Sequence, residues 1–129
     1  MRLWAQDAED AAIVSTLLQD ACVKPAEVHY DARARRVVIL AHRFCWECET
    51  PQRVHAALRV ENVQKARRRG WPESAGPALE LLGLVVESHG ITLAFAGGAE
   101  IALEVEVLDL ILEDLDQPAA APSVPHHEA

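Results

Sequence analysis

The sequence is poor in several features that define protein classes. Its 129 residues include only three cysteines and six aromatic residues. No stretch approaches the roughly 18 consecutive apolar residues of a membrane helix, and "MRLWAQDAED" turns acidic where a signal peptide needs an apolar core. An odd, small number of cysteines is not the framework of a secreted disulfide scaffold. We therefore predict a cytoplasmic protein with no membrane contact and reduced thiols.

Catalytic motifs are also missing. The chain has no GxSxG, HExxH, P-loop or dinucleotide-binding fingerprint. Four histidines, at positions 29, 42, 55 and 89, are scattered among predicted strands and turns without a partner set. The sequence therefore predicts no cofactor and favours a non-catalytic protein.

Positive charge is absent from the second part of the chain. All 12 lysines and arginines lie at or before Arg69, whereas 11 of the 20 acidic residues follow it. The run "KARRR" at 65–69 could contact phosphate, or acidic neighbouring strands could offset it across a sheet. No RNA-binding aromatic signature or helix-turn-helix pattern accompanies the arginines, so we favour the second interpretation and predict no nucleic-acid partner.

Hydrophobic periodicity predicts an α+β fold. Half of the residues are hydrophobic, which is enough for one core. Residues 7–22 have apolar positions at helical spacing, with Asp7 as N-cap. After Pro25 the period becomes two, which predicts one helix on a curved, mainly antiparallel sheet or partial barrel of about six strands. We expect a single domain over 1–116 and a flexible Ala/Pro-rich tail over 117–129.

Local sequence patterns predict the secondary structure of three further segments. "RVHAALRVE", from Arg53, alternates apolar and polar residues as a strand does. Gly97 and Gly98 predict a tight hairpin turn, because glycine readily adopts the positive φ such turns require. Residues 107–115 fit either a strand or a short closing helix.

Cys45 and Cys48, in "RFCWEC", admit three interpretations. They have the spacing of half a zinc site, which His42 and His55 could complete, but a second cysteine pair is missing. They could be a thiol-disulfide pair if Thr50 and Pro51 began a helix as in thioredoxin, with Cys45 as nucleophile. They could also simply end a strand, where residues three apart point to opposite faces unless the chain turns. The pattern at 53–61 favours a strand and therefore opposes the thioredoxin interpretation.

A wider pattern connects this stretch with a known family. Its parts are "LQDA" at 18–21, Lys24, Tyr30, "RF" and "WE" within 43–47, "LLGL" at 81–84, "FAGGAEIALEVE" at 95–106 and "LEDL" at 112–115. This pattern resembles an uncharacterised family of small bacterial single-domain proteins, a domain of unknown function. The resemblance implies no assigned activity. It does not include the cysteine pair, which lowers the metal and redox interpretations as a shared function.

The residues that match within this stretch are Arg43, Trp46 and Glu47. Arginine and tryptophan dominate binding hot spots, so the three could form a recognition surface, or Trp46 could be core and Arg43 could pair with Glu47. We predict a protein-interaction module without bound metal that binds another protein or forms a homodimer. The alternatives are a thiol-disulfide oxidoreductase using Cys45 and Cys48, and a structural metal-binding protein.

Overall fold

A computed structural model of the chain describes residues 1–73, 75–117, 119 and 120, which form one helix and eleven strands. The strands are β1 (Arg2–Ala5), β2 (Cys22–Val23), β3 (Val28–Asp31), β4 (Arg36–Phe44), β5 (Gln52–Val60), β6 (Val63–Arg69), β7 (Leu79–Glu87), β8 (Gly90–Phe95), β9 (Glu100–Val105), β10 (Leu110–Asp114) and β11 (Ala119–Ala120). Helix α1 (Ala8–Leu18) lies between β1 and β2, and short 3-10 turns cover Pro25–Glu27 and Ala96–Gly98. In the described part of the chain, no helix is long and apolar enough to cross a membrane.

Helix α1 begins where its capping residue predicts. The Asp7 side chain accepts a hydrogen bond from the Asp10 backbone N–H at 2.8 Å, which satisfies one of the free donors of the first turn. The helix then covers the free edge of β7, because the Leu84 N–H donates to Ser15 Oγ at 2.9 Å. A Cβ added at Gly83 would lie 3.3 Å from that oxygen, so glycine permits the close approach. The predicted helix is confirmed, although it is shorter than 7–22.

All strand pairs are antiparallel, and the main order is β1-β10-β5-β4-β2-β7-β8-β9-β6. We call β1, β10, β5 and β4, with β3 beside β4 and β11 beside β5, the first half, and β7, β8, β9 and β6 the second half. The two-residue strand β2 joins the halves by pairing with both β4 and β7. The predicted glycine turn joins β8 to β9, with φ of 86° at Gly97 and 91° at Gly98.

One core serves both halves. Ile39 and Leu58 from the first half and Leu93 and Leu103 from the second are all at most 2% exposed and belong to one buried cluster. Burying each such side chain contributes roughly 1.5–3 kcal/mol. The sheet therefore curves around this cluster, with α1 packed on it. It remains open, because β1 and β6 lie at its two ends and no pairing between these described strands joins them.

The number of strands was predicted wrongly. Eleven strands are present where about six were expected, partly because β1, β2, β3 and β11 have only two to four residues and carry little periodic signal. The closing helix considered for 107–115 is also absent, and Leu110–Asp114 is the strand β10. Leu110, Ile111 and Leu112 are all buried, and an apolar run buried on both faces imitates helical spacing.

The charge pattern was interpreted correctly. Strand β6, which contains the run "KARRR", pairs with the acidic strand β9 and sets Lys65 opposite Glu104. Arg69 lies 3.3 Å from Glu100. The acidic strand therefore offsets the basic one. The predicted single domain and tail boundary stay predictions: Ala119–Ala120 pair with β5, and residues 121–129 lie outside the described residues.

Candidate functional site

The chain turns between β4 and β5, and this turn joins Cys45 to Cys48. The Cys48 N–H donates to the Cys45 carbonyl at 3.3 Å, the two Cα atoms are 5.4 Å apart, and the sulfurs form a disulfide. Cys45 is buried and Cys48 half-buried, whereas Cys22 is a free, exposed thiol. The expectation of reduced thiols is wrong for this pair, because the turn brings together side chains that an extended strand would separate.

The helix required by the thioredoxin interpretation does not form. Gln52–Val60 is strand β5, as the alternating pattern predicted. A strand supplies no helix dipole to stabilise a thiolate at Cys45. The thioredoxin-like arrangement is therefore excluded, while other thiol chemistry at the disulfide is not.

Arg43 is the centre of a buried ion cluster. Its side chain is 1% exposed and makes two hydrogen bonds to Asp114 and two to Glu47, each at 2.9 Å. Burial alone lowers the pKa of Arg43, but the hydrogen bonds to Asp114 and Glu47 outweigh it and raise that pKa. The hydrogen bond from Arg43 in turn lowers the pKa of Glu47. Bidentate pairs of this kind are among the stronger ionic contacts in proteins.

The structure brings Arg43 and Glu47 together, whereas Trp46 makes different contacts. The Trp46 indole N–H donates to the Gln19 carbonyl at 3.2 Å, and its ring packs edge-on against Phe44. Trp46 is 36% exposed and is therefore not a core residue. Arg43 is buried and bonded to Asp114 and Glu47, so it cannot contact a partner directly. A recognition role for Arg43, Trp46 and Glu47 as one surface stays a prediction, and only Trp46 and Glu47 are exposed.

The turn also contains a set of potential metal ligands. Donor atoms of Cys45, Glu47 and Cys48 lie within 4.8 Å of one another. The thiolate is the metal-binding form of cysteine, and here both sulfurs are bonded to each other while both Glu47 oxygens bind Arg43. The oxidised turn therefore offers no ligand set for a structural ion.

A second group of chemically active side chains lies on the outer face of β4 and β5. His42 and His55 are directly opposite each other in the register, and their rings stack with centroids 4.4 Å apart. Cys22 of β2 is directly opposite His42 on its other side. The free thiol and both imidazoles therefore form one row across three neighbouring strands. Burial lowers the pKa of His42, and the neighbouring His55 and Arg53 lower it further.

Asp116 holds the second histidine in place. Its Oδ1 accepts the His55 backbone N–H at 2.9 Å, and its Oδ2 lies 2.6 Å from His55 Nδ1. These hydrogen bonds from His55 lower the pKa of Asp116. The carboxylate therefore fixes Nδ1 and leaves Nε2 as the ring atom available for another contact.

This row opens into a pocket of about 500 Å³. Its lining residues are Cys22, Lys24, Glu27, Leu40, Ala41, His42, His55, Ala56, Ala78 and Leu115. Most of this lining is apolar, while the imidazoles, the thiol and two opposite charges supply the polar contacts. A mainly apolar pocket with a few convergent polar groups is typical of a binding site.

The sequence interpretation missed this row. The sequence suggests His42 and His55 as partners of Cys45 and Cys48 and otherwise gives them no partner set. An antiparallel hairpin between the predicted strands can set the two histidines opposite each other, and that register was the available signal. Cys22 offered no such signal, because β2 is two residues long and reaches β4 through non-local pairing.

The described residues form one helix on an open antiparallel sheet, with a stacked histidine pair and a free thiol on one outer face. The chain belongs to the family described as "Protein of unknown function (DUF2948)", whose family model matches residues 1–127. Searches of curated proteins and of solved structures found no match. The predicted membership of an uncharacterised domain family is confirmed.

Proposed function

We propose that this chain is a non-catalytic protein-interaction module that binds an apolar segment of another protein on the outer face of the first half. One observation carries the proposal: a groove of about 280 Å³ lies over Ala57, between larger side chains of β4 and β10. This volume suits one large apolar side chain. This surface differs from the stretch 43–47 predicted from the sequence, where Arg43 is bonded to Asp114 and Glu47.

The groove follows from residue size on three adjacent strands. Ala57 of β5 lies between Leu40 of β4 and Glu113 of β10 in the register. Val38 and Ile111 line one end, and Leu115, which is 55% exposed, lies at the other. A small residue between larger neighbours leaves a depression, and apolar side chains here occupy a face that usually carries polar ones.

Charge at the groove indicates the chemistry of the partner. Arg36 and Arg59 share one carboxylate, with their Nε atoms 2.6 and 3.0 Å from Glu61 Oε1. Glu113, which also lines the groove, lies 3.4 Å from Arg2, so these three arginines and two glutamates together keep one net positive charge. The hydrogen bond to Glu61 raises the pKa of Arg36, which remains charged. A partner segment with a large apolar residue beside an aspartate or glutamate would complement both features.

Filling the groove tests the proposal directly. Ala57→Leu places a large side chain in the depression without adding charge. The matched control is Ala102→Leu, because Ala102 lies on the outer face of the second half, between Thr92 and Arg67 in the register. Peptides selected from a displayed random library should share a large apolar residue next to an acidic one. Ala57→Leu should weaken their binding at least tenfold and Ala102→Leu should not.

Two results would contradict this assignment. One is a selected peptide whose affinity is the same for Ala57→Leu and for wild type, and the other is a set of peptides without the acidic neighbour. Sedimentation of the same three proteins checks for a second copy as the occupant. If the wild-type protein is a dimer and only Ala57→Leu makes it dissociate, the occupant of the groove is a second copy of the chain and not another protein.

The alternative function is thiol-disulfide exchange at the Cys45–Cys48 disulfide. A substrate thiolate would attack Cys48, the more exposed sulfur, forming a mixed disulfide and releasing Cys45 as a thiolate. Cys45 Sγ lies 3.0 Å from Glu47 Oε1, so the departing thiolate would face a carboxylate. This contact favours the protonated thiol and makes Cys45 a poor leaving group.

The pKa of Cys45 in the reduced protein tests that alternative. A value well below the ordinary ~8.5 would support exchange chemistry, and a value at or above it would end the claim. Glu47→Gln, which removes the carboxylate charge, should accelerate exchange with a small thiol if Glu47 opposes thiolate formation. An unchanged rate would show that Glu47 does not control the reactivity of Cys45.

A further inference from the structure

We propose that Cys22, His42 and His55 form a site for a thiophilic transition-metal ion, with Zn²⁺ as the reference ion, in the pocket on the outer face of β4 and β5. This site is separate from the cysteine turn, whose sulfurs are bonded to each other. It is also independent of the groove over Ala57, although the pocket and the groove share Leu115 in their linings.

The strand register places the three donors together. Cys22 is opposite His42, and His42 is opposite His55, so all three side chains leave the sheet on the same face. Directly opposite residues of antiparallel strands have Cβ atoms about 4.5–5.5 Å apart. Thiolate and imidazole donors at neighbouring positions suit Zn²⁺, which prefers sulfur and nitrogen ligands.

Asp116 supplies the second part of the site. Metal-binding histidines commonly donate their other ring N–H to a carboxylate, which fixes the tautomer and the ring orientation. Asp116 Oδ2 lies 2.6 Å from His55 Nδ1, and Asp116 Oδ1 also accepts the His55 backbone N–H. The His55 ring is therefore held with Nε2 as its free donor atom.

Binding an ion requires these side chains to rearrange, because among the described residues the donor atoms found within 4.8 Å of one another are those of Cys45, Glu47 and Cys48. Tetrahedral coordination at zinc–nitrogen distances of about 2.05 Å requires the two nitrogens about 3.3 Å apart. The stacked rings have centroids 4.4 Å apart and lie within 7° of parallel, so one partly exposed imidazole must turn out of the stack to direct its nitrogen at the same ion as the other. Three protein ligands leave a fourth position, and the pocket of about 500 Å³ gives water or another molecule access to it.

The charged residues that line the pocket balance one another, and Glu80 lies opposite Cys22 on its other side in the register. Lys24 and Glu27 line it with opposite signs. Arg53, whose Nη1 donates to the His42 carbonyl at 3.0 Å, is balanced by Asp116 beside His55. Affinity would therefore come from the three donor atoms rather than from net charge, which favours a transition metal over Ca²⁺ or Mg²⁺.

Cobalt and zinc titrations of the untagged protein test the site. The Cys45–Cys48 disulfide is kept intact, and a thiol assay confirms one free thiol. His126 and His127 are replaced by alanine in every sample, which removes their contribution. We expect binding of one Zn²⁺ per chain, and with Co²⁺ a thiolate-to-cobalt charge-transfer band together with the visible bands of tetrahedral cobalt.

Single substitutions then assign the ligands. Cys22→Ser should abolish the charge-transfer band, and His42→Ala and His55→Ala should each weaken Zn²⁺ binding. Asp116→Asn should weaken binding by roughly 10–100-fold, as changes behind a metal ligand do. His89→Ala serves as control, because His89 lies in the β7–β8 turn, where its Nδ1 is 3.1 Å from the Glu106 carbonyl oxygen, and should change nothing.

Three results of these titrations would contradict the metal site. Zn²⁺ affinity that survives His42→Ala and His55→Ala, or a cobalt complex without the thiolate band, would overturn the site, as would the absence of any binding. The targeted side chains are exposed or half-buried, and circular dichroism confirms that each variant is folded. Ala57→Leu, which fills the neighbouring groove, should leave Zn²⁺ affinity intact, so failure of the interaction proposal and failure of the metal site can be told apart.

Discussion

The two halves of the sheet use the polar groups on their outer faces in different ways. On the second half, Arg67 and Arg69 of β6 lie 3.6 and 3.3 Å from glutamates of β9, so the charges there largely pair with one another. On the first half, the same face presents a stacked histidine pair and a free thiol in an open pocket. His55 contacts the Asp116 carboxylate at 2.6 Å, whereas the His42 ring stacks on His55 and Cys22 is a free, exposed thiol. Reactive groups gathered beside a pocket are candidates for function.

The inner faces differ too. The second half faces the core with aliphatic and aromatic residues, including Ile91, Leu93 and Phe95. The first half buries a charged residue, Arg43, which binds two carboxylates. Burial of apolar surface therefore stabilises the second half, whereas part of the first half depends on an ion cluster that must stay complete.

The largest expected effect is the loss of Arg43. Arg43→Ala leaves Asp114, whose side chain is 9% exposed, without its main partner, and breaking a buried pair typically costs about 3–5 kcal/mol. Urea denaturation should show that decrease in the free energy of unfolding. Leu93→Ala, in the core of the second half, should lose a comparable ~2–5 kcal/mol through the cavity it leaves.

A second substitution tests whether the Asp114 charge left without Arg43 causes the loss of stability. If the Asp114 charge, left with the Met1 ammonium at 3.6 Å but without Arg43, produces most of the loss, adding Asp114→Ala to Arg43→Ala should cost little more or restore some stability. Adding Asp114→Ala to Leu93→Ala should instead lower the free energy of unfolding by as much as Asp114→Ala does in the wild-type protein. Additive losses in both backgrounds would show that the ion cluster is not a coupled unit.

Sequence alone was enough for the parts of the fold that depend on local pattern. The helix with its Asp7 cap, the alternating strand β5 and the Gly97-Gly98 turn were all predicted from neighbouring residues. The strand count and β10 were not, because short strands have too few residues for periodicity and a strand buried on both faces loses its alternation.

The candidate site was less accessible because it depends on non-local pairing. The sequence drew attention to Cys45 and Cys48 as partners for His42 and His55. The register instead sets Cys22, which is 20 residues before His42, beside them. Similarly, Arg43 was predicted as a recognition residue or a partner of Glu47, and only the pairing of β10 with β5 brings Asp114 to it.

The disulfide should contribute a smaller, measurable part of the stability of the first half. Closing a loop as short as Cys45 to Cys48 is worth about 2 kcal/mol in the chain-entropy description. Cys45→Ala/Cys48→Ala should lower the free energy of unfolding by that amount. Cys22→Ala, at an exposed thiol, should stay within about 0.5 kcal/mol of wild type. An equal loss in both variants would refute a specific role for the turn.

Acid should weaken the first half through Glu47. Its pKa is lowered in the folded protein from the ordinary 4.5, so the stability it contributes is present above pH about 4.5 and is lost as the pH falls through the lowered pKa. The effect should be smaller than that of Arg43→Ala, because the Glu47 side chain is 43% exposed. Glu47→Gln should reduce the slope of unfolding free energy against pH below pH ~4.5, whereas Leu93→Ala should leave it unchanged.

The smallest effect is expected on the outer face of the second half. Arg67→Ala and Arg69→Ala remove exposed ion pairs, which typically contribute about 0.2–1 kcal/mol each. Because salt screens exposed charges, the loss should shrink further at 1 M salt, where the Debye length is about 3 Å. The Arg43→Ala loss should persist there, since buried pairs are screened much less. If instead both losses vanish in high salt, the ion cluster around Arg43 behaves as a surface pair and the contrast between the two halves fails.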